Sequence, residues 1–420
     1  MKLKYLFCGL FLLGLSACNY LDIVPDEVVK EEDSYETPDL VRNYLYSCYS
    51  FLPTNRAISN NAYWMMCGAE TSFYRKEMFS TFNEGTYGPS SLHMTSDTWS
   101  PIWEGIRQCY MFLDILDKAK NLVPTDKQHY RGEANFLIAY YHFLSMRSYG
   151  PTMIIRSVID LETPISGFPE RSSIDEVVAF INEKLDEAMS EGGLPTTWSG
   201  KDYGRATRLA ALALKSRVYL YAASPLYNGN TEMYADFRSP LDGRQLIAQE
   251  KSQAKWEISA TQTKYAIDEV EKAKFHLYHD ADAGEPSDAK PGLPNKAQRR
   301  LRYTNIDNQT GNNPEIIWAD TRNDDYYGIQ RRCPPRQTLG GKFAGISMTN
   351  CPTLQTIEAF YTKNGLPINK DKTFDYDERY EYISAPENCD GNNYEDLVKY
   401  ANFTPSSDKV MRLCTDREPR

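Results

Sequence analysis

Histidine is scarce in this chain: five residues, at 93, 129, 142, 276 and 279, among 420. None belongs to a His-Glu-x-x-His pair, and neither Gly-x-Ser-x-Gly nor Gly-x-x-x-x-Gly-Lys occurs. Those absences remove the usual signatures of zinc hydrolases, of the α/β-hydrolase nucleophile and of P-loop nucleotide binding. A basic tract is missing too. With a net charge of −10, the chain has no lysine and arginine cluster to meet nucleic-acid phosphates. His276 and His279 stand near Asp280, Asp282 and Glu285, yet the run lacks the glycine position and distal glutamate of a calcium loop. It reads as an exposed helix end, with no metal site. Among 57 acidic residues no pair is singled out for glycosidase chemistry. No catalytic constellation and no cofactor is expected.

Aromatics, by contrast, are abundant at 13%, with 30 tyrosines. A tyrosine joins apolar area to a polar tip, which suits both wet helix packing and surface recognition. The N-terminus has a leader's layout: Lys2 and Lys4 precede an apolar run from Tyr5 to Leu15, too short for a permanent span. Leu15-Ser16-Ala17-Cys18 resembles a bacterial lipobox, so residues 1–17 are expected to be removed and Cys18 acylated. Several acyl chains make an anchor that a single chain does not. Seven cysteines remain: Cys48, Cys67, Cys109, Cys333, Cys351, Cys389 and Cys414. Their spacing fits no metal framework, export permits disulfides, and spacing alone assigns no pair. Cys48 and Cys109 fall on helical core positions and read as small buried hydrophobes.

The helical signal is strongest in His129–Pro151. Ala134, Phe136 to Tyr141, Phe143, Leu144 and Met146 leave almost no polar face, as in a helix enclosed by others. It is no membrane span, which needs about 20 mostly apolar residues. Gly150-Pro151 ends it. A second such helix, Ala206–Leu226, is rich in alanine, and the two are expected to pack together. Further helices are expected from Pro38 to about Leu52 and from a cap at Asp97, Thr98 or Ser100. Others should run from Ser172 or Ser173, with Glu176 at capping-box spacing from Ser173, over Ser252–Phe275, and around Thr353–Tyr361. Residues 19–37 form an acidic tether, and 53–98 read as irregular. Glu315–Ala319 reads as a lone strand. Arg131, Glu133 and Arg205 are charges beside apolar runs and should form structural ion pairs or bind loop carbonyls. His142 should be a hydrogen-bonded core residue. Trp103, Trp256 and Trp318 read as core.

Several of these stretches, in order, resemble the SusD/RagB family of Bacteroidota outer-membrane nutrient-binding lipoproteins. They are Cys18–Pro25, Trp99–Leu113, Arg131–Pro151, Arg171–Glu187, Gly204–Asn228, Asn313–Trp318, and Pro352–Tyr361 with Asn364-Gly365. The resemblance implies a mostly α fold: a tetratricopeptide-like helix-pair array with a loop-rich variable face. Its divisions are residues 18–37 as lipid anchor and tether, 38–275 as helical-repeat region and 276–420 as loop-rich C-terminal region. The family continues past the Arg-Glu-Pro-Arg at 417–420, so this chain is expected to be a fragment or a truncated product. The resemblance further implies a lipid-anchored, surface-exposed outer-membrane protein that binds glycan without chemistry. Its partner would be a SusC-like TonB-dependent transporter. An oligopeptide binder of the same family, a lipoprotein glycosidase and a purely structural scaffold are the alternatives. Sugar rings pack on flat aromatic side chains with polar groups at the rim. On that ground the loop residues Tyr63, Trp64, Tyr74, Tyr87, Tyr326 and Tyr327 are the ligand-binding candidates.

Overall fold

The structure is a computed structural model. It describes residues 35–53, 71–73, 93–279, 304, 313–321, 350–352, 354–377, 382–383 and 413–414. Cys18, the leader and the six nominated aromatic residues lie outside the described residues. Contacts divide the chain into two units, one of residues 1–52 and 102–321, the other of 53–101 and 322–420.

The first unit is helical. Helix α1 spans Pro38–Tyr49, with Pro38 in its first turn and the Thr37 hydroxyl accepting from the Leu40 amide at 3.3 Å. Val41, Leu45 and Cys48, spaced along one face, are its buried residues. Helix α2 runs His93–Lys118 and α3 runs Pro124–Tyr149. Next come α4 at Ile174–Ala188, α5 at Arg208–Ala223, the single turn α6 at Thr231–Tyr234 and α7 at Gln253–Lys272. Helix α3 packs most extensively on α4, α4 also on α5, and α5 on α7. Successive helices thus pair with their chain neighbours, the tetratricopeptide-like arrangement of a helical array.

The periodic reading holds closely for α3. Phe136, Leu137, Ile138, Ala139, Tyr141, Phe143, Leu144 and Met146 are all buried on a helix that has almost no wet side. It ends at Gly150, whose φ is 72°. Two glycines permit its close contacts. A Cβ on Gly105 of α2 would stand 2.7 Å from the Tyr141 ring, and one on Gly132 would stand 2.9 Å from the Leu194 amide nitrogen. Hydroxyls tie the helices together. Tyr141 donates to the Cys48 carbonyl at 2.6 Å, Tyr110 to that of Ile155 at 2.7 Å, and Tyr227 to that of Met146 at 3.1 Å. These three tyrosines therefore serve the scaffold.

Ser173 and Glu176 form the capping box, hydroxyl to amide and carboxylate to amide, as their spacing predicts.

Other expectations are corrected. Helix α3 begins at Pro124, five residues before the apolar stretch, because its first turns are polar and its N-cap, Val123, has no side-chain cap to advertise it. Helix α2 begins at His93, ahead of all three proposed caps, and carries Pro101 inside. Helices α3 and α5 share a core but each packs mainly on its own neighbour in the chain. Glu315–Ala319 is not a strand: Pro314 and Glu315 turn under an Asn313 side chain that accepts the Glu315 amide at 3.0 Å. Its apolar side chains are satisfied by helix contact, without an edge to pair with. Trp103, Trp256 and Trp318 are half-buried, and Ile258 and Ile267 of α7 are exposed, so that helix is less enclosed than its sequence reads.

In the second unit, β1 (Thr71–Phe73) pairs antiparallel with β2 (Asn350–Pro352), Thr71 opposite Pro352. Helix α8 is short, Leu354–Glu358. Strands β3 (Tyr382–Ile383) and β4 (Leu413–Cys414) pair in parallel. The turn after α8 is knotted by Asp371, which accepts from the Thr362 hydroxyl, the Asn364 amide group and the Thr373 amide and hydroxyl. Those bonds hold its carboxyl well below the usual carboxylate range.

Candidate binding surface

Within the helical unit a cavity of about 440 Å³ opens between α3, α5 and the 315–318 turn. Phe136 and Tyr140 come from one turn of α3, and Ala210, Ala213, Leu214 and Arg217 from α5. Trp318 closes it from the turn. Its ring meets those of Phe136 and Tyr140 edge-on, at 5.1 and 5.4 Å, and its N–H donates to the Gly204 carbonyl at 2.8 Å. The alanines of α5 make room for these rings. Arg217 is exposed, while one Glu315 oxygen accepts the Tyr278 amide at 3.0 Å. Burial pushes the Tyr140 hydroxyl's pKa up, so it stays protonated at neutral pH. The walls offer aromatic area and a charged rim, a lining suited to binding. Sequence reading assigned Trp318 to a strand and missed this cavity; alternating small and aromatic residues on two helices were the available signal.

The other charged centre is enclosed. Glu133, on α3, is fully buried, and both its oxygens are engaged. Arg205 binds them through Nη2 at 2.5 Å and Nε at 3.2 Å, and the Tyr49 hydroxyl donates to Oε2 at 2.5 Å. Arg205 also binds Asp202 at 2.8 Å and lies 4.0 Å over the Trp198 ring. The Tyr49 hydroxyl accepts the Ala206 amide at 2.9 Å. Burial raises the Glu133 carboxyl despite the opposing pull of Arg205, and raises the Tyr49 hydroxyl strongly. Burial acts to lower Arg205, but its bonds to Glu133 outweigh that and keep it charged. With every group committed, the cluster ties α1 and α3 to the loop before α5. Glu133 and Arg205 are the structural pair their surroundings call for, whereas Arg131 pairs with Asp117 on the exposed surface.

His142 is a core residue. Its Nε2 accepts the Ile155 amide at 3.3 Å, which makes Nδ1 the protonated nitrogen that donates to the Ile138 carbonyl at 2.7 Å. Burial drives its pKa down to about 4. The His276 and His279 rings stack with centroids 5.3 Å apart. Their acidic sequence neighbours lie outside the described residues.

These features have relatives. A SusD-like family profile, described as "Starch-binding associating with outer membrane", matches residues 19–220. The solved structure of BT4246 superposes with a TM-score of 0.64 at 28% identity, covering 82% of this chain and 60% of that one. Residues 19–220, just under half of the chain, thus resemble the SusD-like family, and the fold is that of BT4246. A SusD-like protein from Bacteroides fragilis, BF3747, shares the fold at 22% identity and a TM-score of 0.57, over 81% of this chain and 56% of that one. This chain thus spans about 60% of the length of BT4246. No curated protein sequence matches it. The helical-array fold that the resemblance implied is the fold observed.

Proposed function

We propose that this chain is the glycan-binding component of an outer-membrane uptake system. In this reading Cys18 carries the lipid anchor and the protein faces outward. The captured oligo- or polysaccharide passes to a SusC-like TonB-dependent transporter without being cleaved. Capture falls to Tyr63, Trp64, Tyr74, Tyr87, Tyr326 and Tyr327, whose rings would stack on sugar C–H faces beside polar neighbours in the sequence. The observation that carries the reading is the match of residues 19–220 to a family described as starch-binding and outer-membrane-associated. The absence of catalytic motifs in the sequence agrees with it.

The test is titration of the purified full chain with a panel of polysaccharides and with peptide digests, following tryptophan fluorescence and heat. Binding of one glycan class with no release of reducing sugar is expected. Trp64→Ala and Tyr74→Ala should each weaken it by about tenfold or more, as lost aromatic stacking does. Saturable binding of peptides but not glycans would move the protein to the oligopeptide branch. Turnover of the glycan would make it an enzyme.

A further inference from the structure

Two cysteines that the sequence could not pair are brought together in the helical core. Cys48 on α1 and Cys109 on α2 are both fully buried. The helices meet in antiparallel register around them. The Tyr44 and Phe112 rings stack with centroids 5.9 Å apart, and the Gln108 amide donates to the Ser47 hydroxyl at 2.7 Å. One position further on each helix stand the free thiols of Cys48 and Cys109; that of Cys48 donates to the Tyr44 carbonyl at 3.6 Å, and its nearness adds to the burial that raises the Cys109 thiol. The Tyr141 hydroxyl on the Cys48 carbonyl fixes that backbone from α3. The location matters as much as the proximity. The chain leaves the helical unit after Leu52 and re-enters it at Ile102, so the pair closes the base of the whole excursion. Four of the six nominated aromatic residues, Tyr63, Trp64, Tyr74 and Tyr87, lie within the segment so closed.

We propose that Cys48 and Cys109 form a disulfide in the exported protein, clamping the two ends of the 53–101 excursion to each other. In balance, the two thiols lose two protons and two electrons to the disulfide of a thiol–disulfide oxidant. The first cysteine thiolate attacks that oxidant and releases one of its thiols. The second attacks the resulting mixed disulfide and releases the other. Burial pushes the Cys109 thiol well up, so little attacking thiolate exists once the core has closed. The bond therefore forms while α1 and α2 are still docking, and afterwards the surrounding core shields it from reductant.

The experiment compares the full chain recovered from an oxidising periplasm with the same chain made in a reducing cytosol, then unfolded and refolded with oxidised glutathione. Each sample is denatured in an alkylating reagent and mapped by mass. A linked Cys48–Cys109 peptide is expected in the periplasmic and refolded samples and not in the cytosolic one. In the folded protein a mild dithiol should fail to reduce it, and denaturant should restore reduction. Closing a loop of roughly 60 residues should raise Tm by about 5–10 °C over the reduced protein. Cys48→Ala should abolish both the linked peptide and that Tm difference. Alkylation of both cysteines in the refolded sample, or a linked peptide joining either one to Cys67, would overturn the proposal. The refolding arm needs neither export nor a ligand, so its outcome is independent of the glycan reading.

Discussion

Protonating His142 should cost the fold more than any other single event between pH 7 and 5. The ring is fully buried, with Phe180 4.7 Å away, Trp103 6.2 Å away, and both nitrogens committed to backbone groups of Ile138 and Ile155. Its pKa is about 4 in the folded chain against an ordinary 6.5. The unfolded chain thus binds the extra proton between those values, and stability rises with pH through that window and levels above it. For one such group the loss on going from pH 7 to pH 5 is about 1.8 kcal/mol. His129 is also lowered by burial and contributes in the same direction, whereas Glu133, raised by burial, acts oppositely just above the ordinary carboxylate range. Glu176 and Glu183 are lowered and contribute stability that disappears only in more acid solution. Subtraction of a His142→Gln variant isolates the one residue. Urea unfolding of both proteins at half-unit pH steps should show the variant about 1–2 kcal/mol less stable at pH 7. The difference should close as the pH falls to 5, because the variant has nothing to protonate there. A variant that loses stability in parallel with the parent across that range would refute the reasoning, as would an NMR titration placing the ring's pKa near 6.5.

Removing Arg205 as Arg205→Met leaves the Glu133 carboxylate buried without its cation and should cost about 3–5 kcal/mol in denaturant unfolding. Adding Glu133→Gln should recover most of that loss. Gly105→Ala forces a methyl into the Tyr141 ring and should cost about 1–3 kcal/mol by overpacking, read as a lower thermal midpoint. Thr207 caps α5 through its hydroxyl on the Ala210 amide at 3.0 Å, so Thr207→Ala should lose about 1 kcal/mol while far-UV circular dichroism stays unchanged below the transition.

What the sequence discloses of this fold depends on whether the signal is local. Ser173 and Glu176 announce α4 because both halves of the capping box lie three residues apart. The enclosed face of α3 is legible because Phe136 through Met146 leaves no polar stripe. The start of α3 is not, since Pro124 follows a valine and precedes polar turns that look like loop. Ile316-Ile317-Trp318 is ambiguous by nature: a short apolar run reads alike whether it is covered by another strand or by helices. The pairing of Thr71–Phe73 with Asn350–Pro352 joins segments far apart in the chain and carries no local mark. Charge–apolar conflict at Glu133 and Arg205 did point to a buried pair, although not to Tyr49 and Trp198 around it. The neighbourhood of Cys48 and Cys109 belongs to the same non-local class. The aromatic candidates rest on sequence composition alone and lie outside the described residues.

The order in which the chain emerges during synthesis acquires meaning from the interrupted first unit. Val41, Leu45 and Cys48 of α1 appear first but have no apolar surface to cover them until α2 and α3 have followed. Throughout that interval, residues 53–101 lengthen the spacer between α1 and its eventual seat. Nascent α1 is therefore an amphipathic helix too short to persist alone, waiting beside the exit with its greasy side open. Any factor that meets the nascent chain has that face as its natural handhold.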